Sequence, residues 1–535
     1  MTQRMTATEV RDLAARGGEY ALLDMREEGD FSEKRLMLAS CLPLSRLELR
    51  ARMLVPRLST PLVIMDGAGE GLAEVGAERL SALGYEDIVI LDGGVAAWEA
   101  AGLPVYSGVN VLTKAFGEVI HRQCGTPDIT ARELKDWIDD GKDLVILDAR
   151  PYAEYHEHTI PGSLSVPGAE LAARAAELAP SPDTTIVVNC AGRTRSIIGC
   201  QSLINAGLPN RVHALRNGTM GWKLAGFNPE TGATRNAAAS ETLDADALRH
   251  RARNLAEKFD VTMLNPQDLA TLKAPGDRNV YLFDVRTPDA FCAGHVAGSV
   301  NAPGGQLVQA MDDYVAVRNG IVVLVDPLLM RAVMTASWLN QVAQCETYVL
   351  DPCPPLGETG KPESAVLNLP AISRMTVADL AEQRRTNART AVVDYSVSVR
   401  HREGHIPGAF WAVRGREAAL AATLGPVDQI VLTGEDADLL QLVAPEIAQA
   451  TGAVVACLDG DVKAWKDAGH PVETGMTKPI GPVNDVWYKP FELDDPQAEK
   501  KAAEAYLDWE VELTEKVARD LVDFRPMTVA GKQAR

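Results

Sequence analysis

At 535 residues the chain exceeds what one hydrophobic core organises, and a working size of about 150 residues per domain predicts three or four domains. With 46% hydrophobic and 24% charged residues, its composition is that of a soluble globular protein. A formal net charge of −20 argues against nucleic acid and anionic membranes as partners, since both select cationic surfaces. Eight cysteines without a CxxC pair fit a reducing cytoplasm better than a disulfide framework. Residues 1–11 hold no apolar signal-peptide core, and the longest aliphatic stretch, Ile321 to Val325, stops at Asp326, too short to span a bilayer.

In chain order, one unit recurs four times. Each copy opens with a short amphipathic helix: Ala7 to Ala15, Thr130 to Ile138, Asn265 to Leu272 and Thr376 to Gln383. A strand follows and ends in an aspartate, Asp24, Asp148, Asp284 or Asp394. The first three continue as DxR with Arg26, Arg150 and Arg286, and the fourth has Ser396 instead. A turn then reads Gly404-His405-Ile406-Pro407-Gly408-Ala409 in the fourth copy. It is recognisable as Ile160-Pro161-Gly162-Ser163 and Gly294-His295-Val296-Ala297-Gly298-Ser299, and decayed to Arg35-Leu36-Met37-Leu38-Ala39 in the first. A second apolar strand leads to a loop position that lies 42 residues after the aspartate in three copies (Asp66, Cys190, Asp326) and 39 after it in the fourth (Thr433). A last strand and turn run on to Trp98, Trp222 and Trp465, and the third copy keeps only Leu350-Asp351-Pro352.

This alternation predicts α/β domains, each a parallel sheet flanked by helices. The expected bounds are 1–108, 127–232, 259–356 and 371–476, followed by a tail over 477–535. Linkers are expected at Val109 to Asp128, Gly232 to Asp260 and Gly357 to Pro370, the second carrying a charged helix over Asp244 to Lys258. In the tail a helix from Pro496 to Val522 is expected to dock on the domains through Tyr506, Trp509, Val511, Leu513 and Val517.

The chemistry gathers at Cys190. Thr185 to Asn189 reads as a buried strand, followed by a tight loop and a helix beginning near Ser196. Such a loop turns its backbone N–H groups inward, and the helix N-terminus adds partial positive charge. With Arg193 and Arg195 in the same loop, the thiol is expected to ionise well below the ordinary value of about 8.5. Arg216 adds a further candidate, because its aligned positions are Asp92, Asp351 and Asp459: only the copy with the cysteine exchanges acid for base. The other seven cysteines read as small buried hydrophobes or bystanders. No Cys/His set has metal-ligand spacing, so no metal is expected.

The ordered set of DxR, a GHIPGA-like turn, a CxxxxRS loop and a GGxxxW ending resembles the rhodanese (thiosulfate sulfurtransferase) superfamily, over residues from about 5 to 475 as four tandem domains. The resemblance implies a thiosulfate sulfurtransferase in which Cys190 carries sulfur as a covalent persulfide, with no cofactor. The loop Cys190, Ala191, Gly192, Arg193, Thr194, Arg195 and Ser196 would cradle a small anionic donor, while Asp148 and Arg150 brace it. Cyanide or a cellular thiol would accept the sulfur. Asp66, Asp326 and Thr433 should leave the other three domains without that chemistry, and His158-Thr159 stand where the family has Gly-His. The nearest rival enzyme classes differ in the loop: a dual-specificity phosphatase or arsenate reductase needs five residues between Cys and Arg, and here there are four; a mercaptopyruvate sulfurtransferase typically has a less cationic loop. A non-catalytic scaffold is the alternative from another class.

Overall fold

A computed structural model describes residues 2–237, 244–274, 276–361, 369–386, 389–493, 495–518, 520 and 522–527. Parts of the second and third expected linkers and the end of the tail lie outside the described residues.

Each repeat builds one parallel sheet of the same order. In the second repeat the strands are Asp128–Ile129, Val212–Leu215, Thr185–Asn189, Leu144–Asp148 and Leu164–Ser165, read across the sheet. The strand before the loop position is therefore central and the aspartate-ending strand lies beside it, with Asp148 level with Asn189. Opening helices are fixed by their first residues: Thr6 and Thr130 form capping boxes with Glu9 and Glu133, and Asn265 caps Pro266–Lys273. The turn decayed in sequence is kept in backbone. Arg35 exchanges main-chain bonds with Tyr106, as Thr159 does with Glu230, His295 with Glu358 and His405 with Glu473.

The DxR pair is a buried brace in three copies. Asp148 accepts from the Arg150 N–H and guanidinium, from Thr159 Oγ1 at 2.7 Å and from Asn189 Nδ2 at 2.9 Å. Arg150 in turn donates to the His158 carbonyl, as Arg286 donates to Gly294, so His158-Thr159 preserve the turn. One carboxylate thus ties together the strand end, the turn and the strand that presents Cys190. In the fourth repeat Ser396 leaves the aspartate without its arginine, and His401 Nδ1 takes the place at 2.6 Å from Asp394.

The sheets are fused rather than strung. Val317–Arg318, from the third repeat, adds antiparallel to Tyr20–Asp24 of the first sheet, and one continuous core runs through both. Arg414 of the fourth repeat bridges Glu446 and Glu48, the latter from the first. The segment expected as a plain linker, Val109 to Asp128, is instead a helix, Val111–Cys124, whose Val111, Leu112, Ala115, Phe116 and Ile120 are buried. Its apolar residues recur at helical spacing, and that pattern outweighs the linker reading. The second linker helix is Ala245–Lys258. The tail helix ends at Val517, short of Val522, and docks with Ala503, Leu507, Leu513 and Val517 buried and Tyr506 and Trp509 half-buried; Val511, expected in that face, is exposed instead. Among the described residues no helix is long and apolar enough to cross a membrane.

Replacing Asp148 by Asn is expected to lower the stability of the fold by about 3–5 kcal/mol, the cost of leaving a buried cation without its partner. Chemical denaturation measures it. The same change at Asp394, which faces a histidine, should cost less.

Candidate active site

The Cys190 loop leaves the carboxyl end of the central strand, and the helix Thr194–Asn205 starts directly after it, two residues before the expected Ser196. Thr219 N–H donates to the Cys190 carbonyl at 2.9 Å and Met220 N–H to Ala191 at 3.0 Å, pinning the loop to the next helix. Gly218 is indispensable there. Its φ is +51°, and a Cβ would lie 2.2 Å from the Cys190 carbonyl oxygen. Ser196 Oγ donates back to the Arg193 carbonyl at 2.8 Å.

The repeats without the cysteine show what such a loop can hold. In the first, the Asp66 carboxylate accepts from Gly69 N–H at 2.6 Å and from Gly71 and Ala73 N–H. In the third, Asp326 accepts from Leu328 and Arg331 N–H and from the Arg331 guanidinium. Each aspartate fills its own anion cradle. In the fourth, the buried Thr433 hydroxyl has no hydrogen-bond partner among the described residues.

Cys190 is 2% exposed. Contrary to the expectation from the loop alone, burial pushes its thiol above the ordinary value; Arg195 and hydrogen bonds from Ser196 pull it down, and Glu510 opposes them. The covering comes from outside the repeat. Tyr506, Leu507 and Glu510 of the tail helix lie against Gly192, and Thr194 Oγ1 reaches Glu510 at 3.4 Å. Desolvation by that cover is the contribution a reading of the loop by itself omits.

The loop arginines are both neutralised. Arg193 grips Glu118 of the helix Val111–Cys124 with bonds of 2.5 and 2.8 Å and donates to Asn217. Arg195 makes a two-pronged pair with Glu154 at 2.9 and 2.8 Å. Burial alone would raise the Glu154 carboxyl, yet Arg195 holds it down at about 2. Arg216 does not face the loop's cavity. It is half-exposed and paired with Asp128 at 2.6 Å. The aligned acids explain it: Asp92 pairs with Arg4 and Asp459 with Arg374, both partners on the opening strand of their sheets, as Asp128 is. The second repeat carries the same ion pair with its charges exchanged, so the swap needs no ligand to account for it.

A cavity of about 260 Å³ opens beside the loop. Ala191, Arg195, Glu154 and Met220 line it from the second repeat, Arg35 and Cys41 from the first, Gln306 and Asp312 from the third, and Lys114 from the connecting helix. Trp487, Lys489, Phe491 and Tyr506 close it from the tail. Of the cavity-facing residues outside the repeat, Tyr506 was expected to dock the tail helix on the domains, whereas Lys114 lies in a segment expected as a linker, its helical apolar period being the signal that could have placed it.

A family model described as a rhodanese-like domain matches residues 6–101 and 130–225. The crystal structure of a thiosulfate sulfurtransferase from Pseudomonas aeruginosa is 43% identical, with a TM-score of 0.88, over 97% of this chain and 98% of that one. An HTH-type transcriptional regulator from Mycobacterium tuberculosis is 35% identical over 111 residues, which are 20% of this chain. The chain spans 48% of that regulator's length.

Arg195→Gln is expected to raise the Cys190 pKa further, because a nearby cation that favours the thiolate is lost. Iodoacetamide alkylation followed against pH should shift its midpoint upward; pairing the change with Glu154→Gln avoids stranding a buried carboxylate. An unshifted midpoint would remove Arg195 from the thiol's field.

Proposed function

This chain belongs to the rhodanese superfamily, and from that membership we propose that it is a sulfurtransferase moving the outer sulfur of thiosulfate, or of a closely similar anionic donor, through Cys190. The observation that carries the reading is the contrast among the four cradles. Two are filled by their own carboxylates and a third holds a hydroxyl. The second alone presents a sulfur nucleophile at that position, where the Ser196 N–H and hydroxyl reach it.

In the proposed cycle the Cys190 thiolate attacks the outer sulfur of thiosulfate. An S–S bond forms to the cysteine, the bond to the sulfonate sulfur breaks, and its electron pair leaves with sulfite. The persulfide anion that remains loses its terminal sulfur to cyanide or to a thiolate acceptor, which regenerates the Cys190 thiolate. Charge is conserved in both steps, and neither calls for an external oxidant. The loop N–H groups and the helix N-terminus would stabilise the anionic sulfur in each state, and Arg195 is the loop cation whose field reaches it. Asp148 and Arg150 act by holding the loop's frame.

Cys190→Ser is expected to abolish thiocyanate formation from thiosulfate and cyanide, whereas Asp66→Ala, Asp326→Ala and Thr433→Ala leave turnover within a few-fold of the parent. Peptide mass spectrometry after incubation with thiosulfate should find one added sulfur on Cys190 and none on Cys200. Cys200 is fully buried inside the helix, and burial pushes its thiol far up. Mercaptopyruvate assayed in parallel tests the neighbouring donor class. Sulfur carried mainly by Cys200, or an active serine variant, would contradict the proposal.

A further inference from the structure

The cations around the cavity are not equivalent. Arg195 is paired with Glu154, Arg35 with Asp312, and Lys489 with Glu492. Lys114 is 3% exposed and has no carboxylate within ion-pair distance among the described residues. Its ammonium is held instead by three rings of the tail, 5.1 Å from the centre of Trp487, 4.9 Å from Tyr506 and 5.1 Å from Trp509. Such a cage stabilises a cation without cancelling its charge. A buried, unneutralised ammonium is costly unless something anionic joins it, and this one lines the cavity that also holds Ala191 and Arg195 of the loop.

We infer that Lys114, from the helix between the first two repeats, is an anion-binding residue of the active site that receives the oxyanion end of the sulfur donor. The inference rests on the sulfurtransferase reading and adds to it a residue outside the catalytic repeat. It also gives the tail a role: Trp487, Tyr506 and Trp509 position the ammonium. Both loop arginines already have carboxylate partners, so the ammonium is the cation left to meet a compact oxyanion head such as a sulfonate.

The surroundings of Lys114 fix a pH signature. Burial lowers its pKa to about 8; Glu510 of the tail helix and Asp312 of the third repeat oppose that fall, while Arg195 and Arg35 reinforce it. Glu118, one turn along its own helix, is engaged by Arg193. The ammonium is therefore charged below about pH 8 and lost above it, and donor affinity should fall in the same direction.

The test is steady-state kinetics of the full chain with thiosulfate and cyanide between pH 6.5 and 9.5. In the wild type the thiosulfate KM is expected to rise roughly tenfold from pH 7 to pH 9, following loss of the charge. Lys114→Gln should show that raised KM already at pH 7, with kcat within about threefold and the cyanide KM unchanged. Lys114→Arg, which keeps the cation, should restore a low KM and flatten the pH profile. Sulfur on Cys190, followed by mass at saturating thiosulfate, separates the two levels of the argument. Sulfur present on Cys190 with a KM unaltered in Lys114→Gln, or a wild-type KM independent of pH, overturns the role of Lys114 alone. Absence of sulfur from Cys190 in the wild type overturns the sulfurtransferase reading and this inference with it.

Discussion

Backbone N–H groups that converge where a central strand turns into a helix call for an acceptor, and two of the four repeats supply one from their own side chains. Asp66 and Asp326 each accept several such bonds with their own side chains. This makes those loops self-sufficient. A thiolate at Cys190 would meet the same demand with one polarizable atom and leave room around it for a second anion.

The scaffold keeps that loop in place by a nested set of buried charges. Asp148 joins three segments through its bonds to Arg150, Thr159 and Asn189, and Gly218 lets the following helix approach close enough to anchor the loop. Around the repeat, the connecting helix contributes Glu118 and Lys114, and the tail contributes Tyr506 and Glu510. Covering the thiol in this way has opposing effects. It desolvates the thiolate, which raises the pKa, and it strengthens every remaining electrostatic interaction in the cavity. A site that reads from one repeat as an electropositive loop is in three dimensions a junction of three repeats and a tail.

The repeat architecture was legible because strand-end aspartates, turns and loop positions recur at fixed spacing, and the strand Thr185–Asn189 falls where its apolar run places it. The identity of the candidate nucleophile was legible for the same reason. Charge compensation was not. Nothing near Arg193, Arg195 or Arg216 in sequence reveals that Glu118, Glu154 and Asp128 would neutralise them, since these partners lie 75, 41 and 88 residues away. The expectation for Arg216 failed because an exchanged ion pair and a ligand-binding arginine leave the same trace in an alignment of repeats. The expectation of a lowered thiol pKa failed because burial by a distant helix is invisible to a local reading. Lys114 is not marked in sequence either, because a single lysine in a short connecting segment reads as a solvated charge until the tail rings enclose it.

The central claim, that one cradle of four transfers sulfur, is tested most directly by the amount of sulfite released in a single turnover. Mixing the protein with excess thiosulfate and no acceptor should give a burst of one sulfite per chain, followed by no further release until cyanide is added. A burst absent from the wild type, or one approaching two or more per chain, would contradict the account.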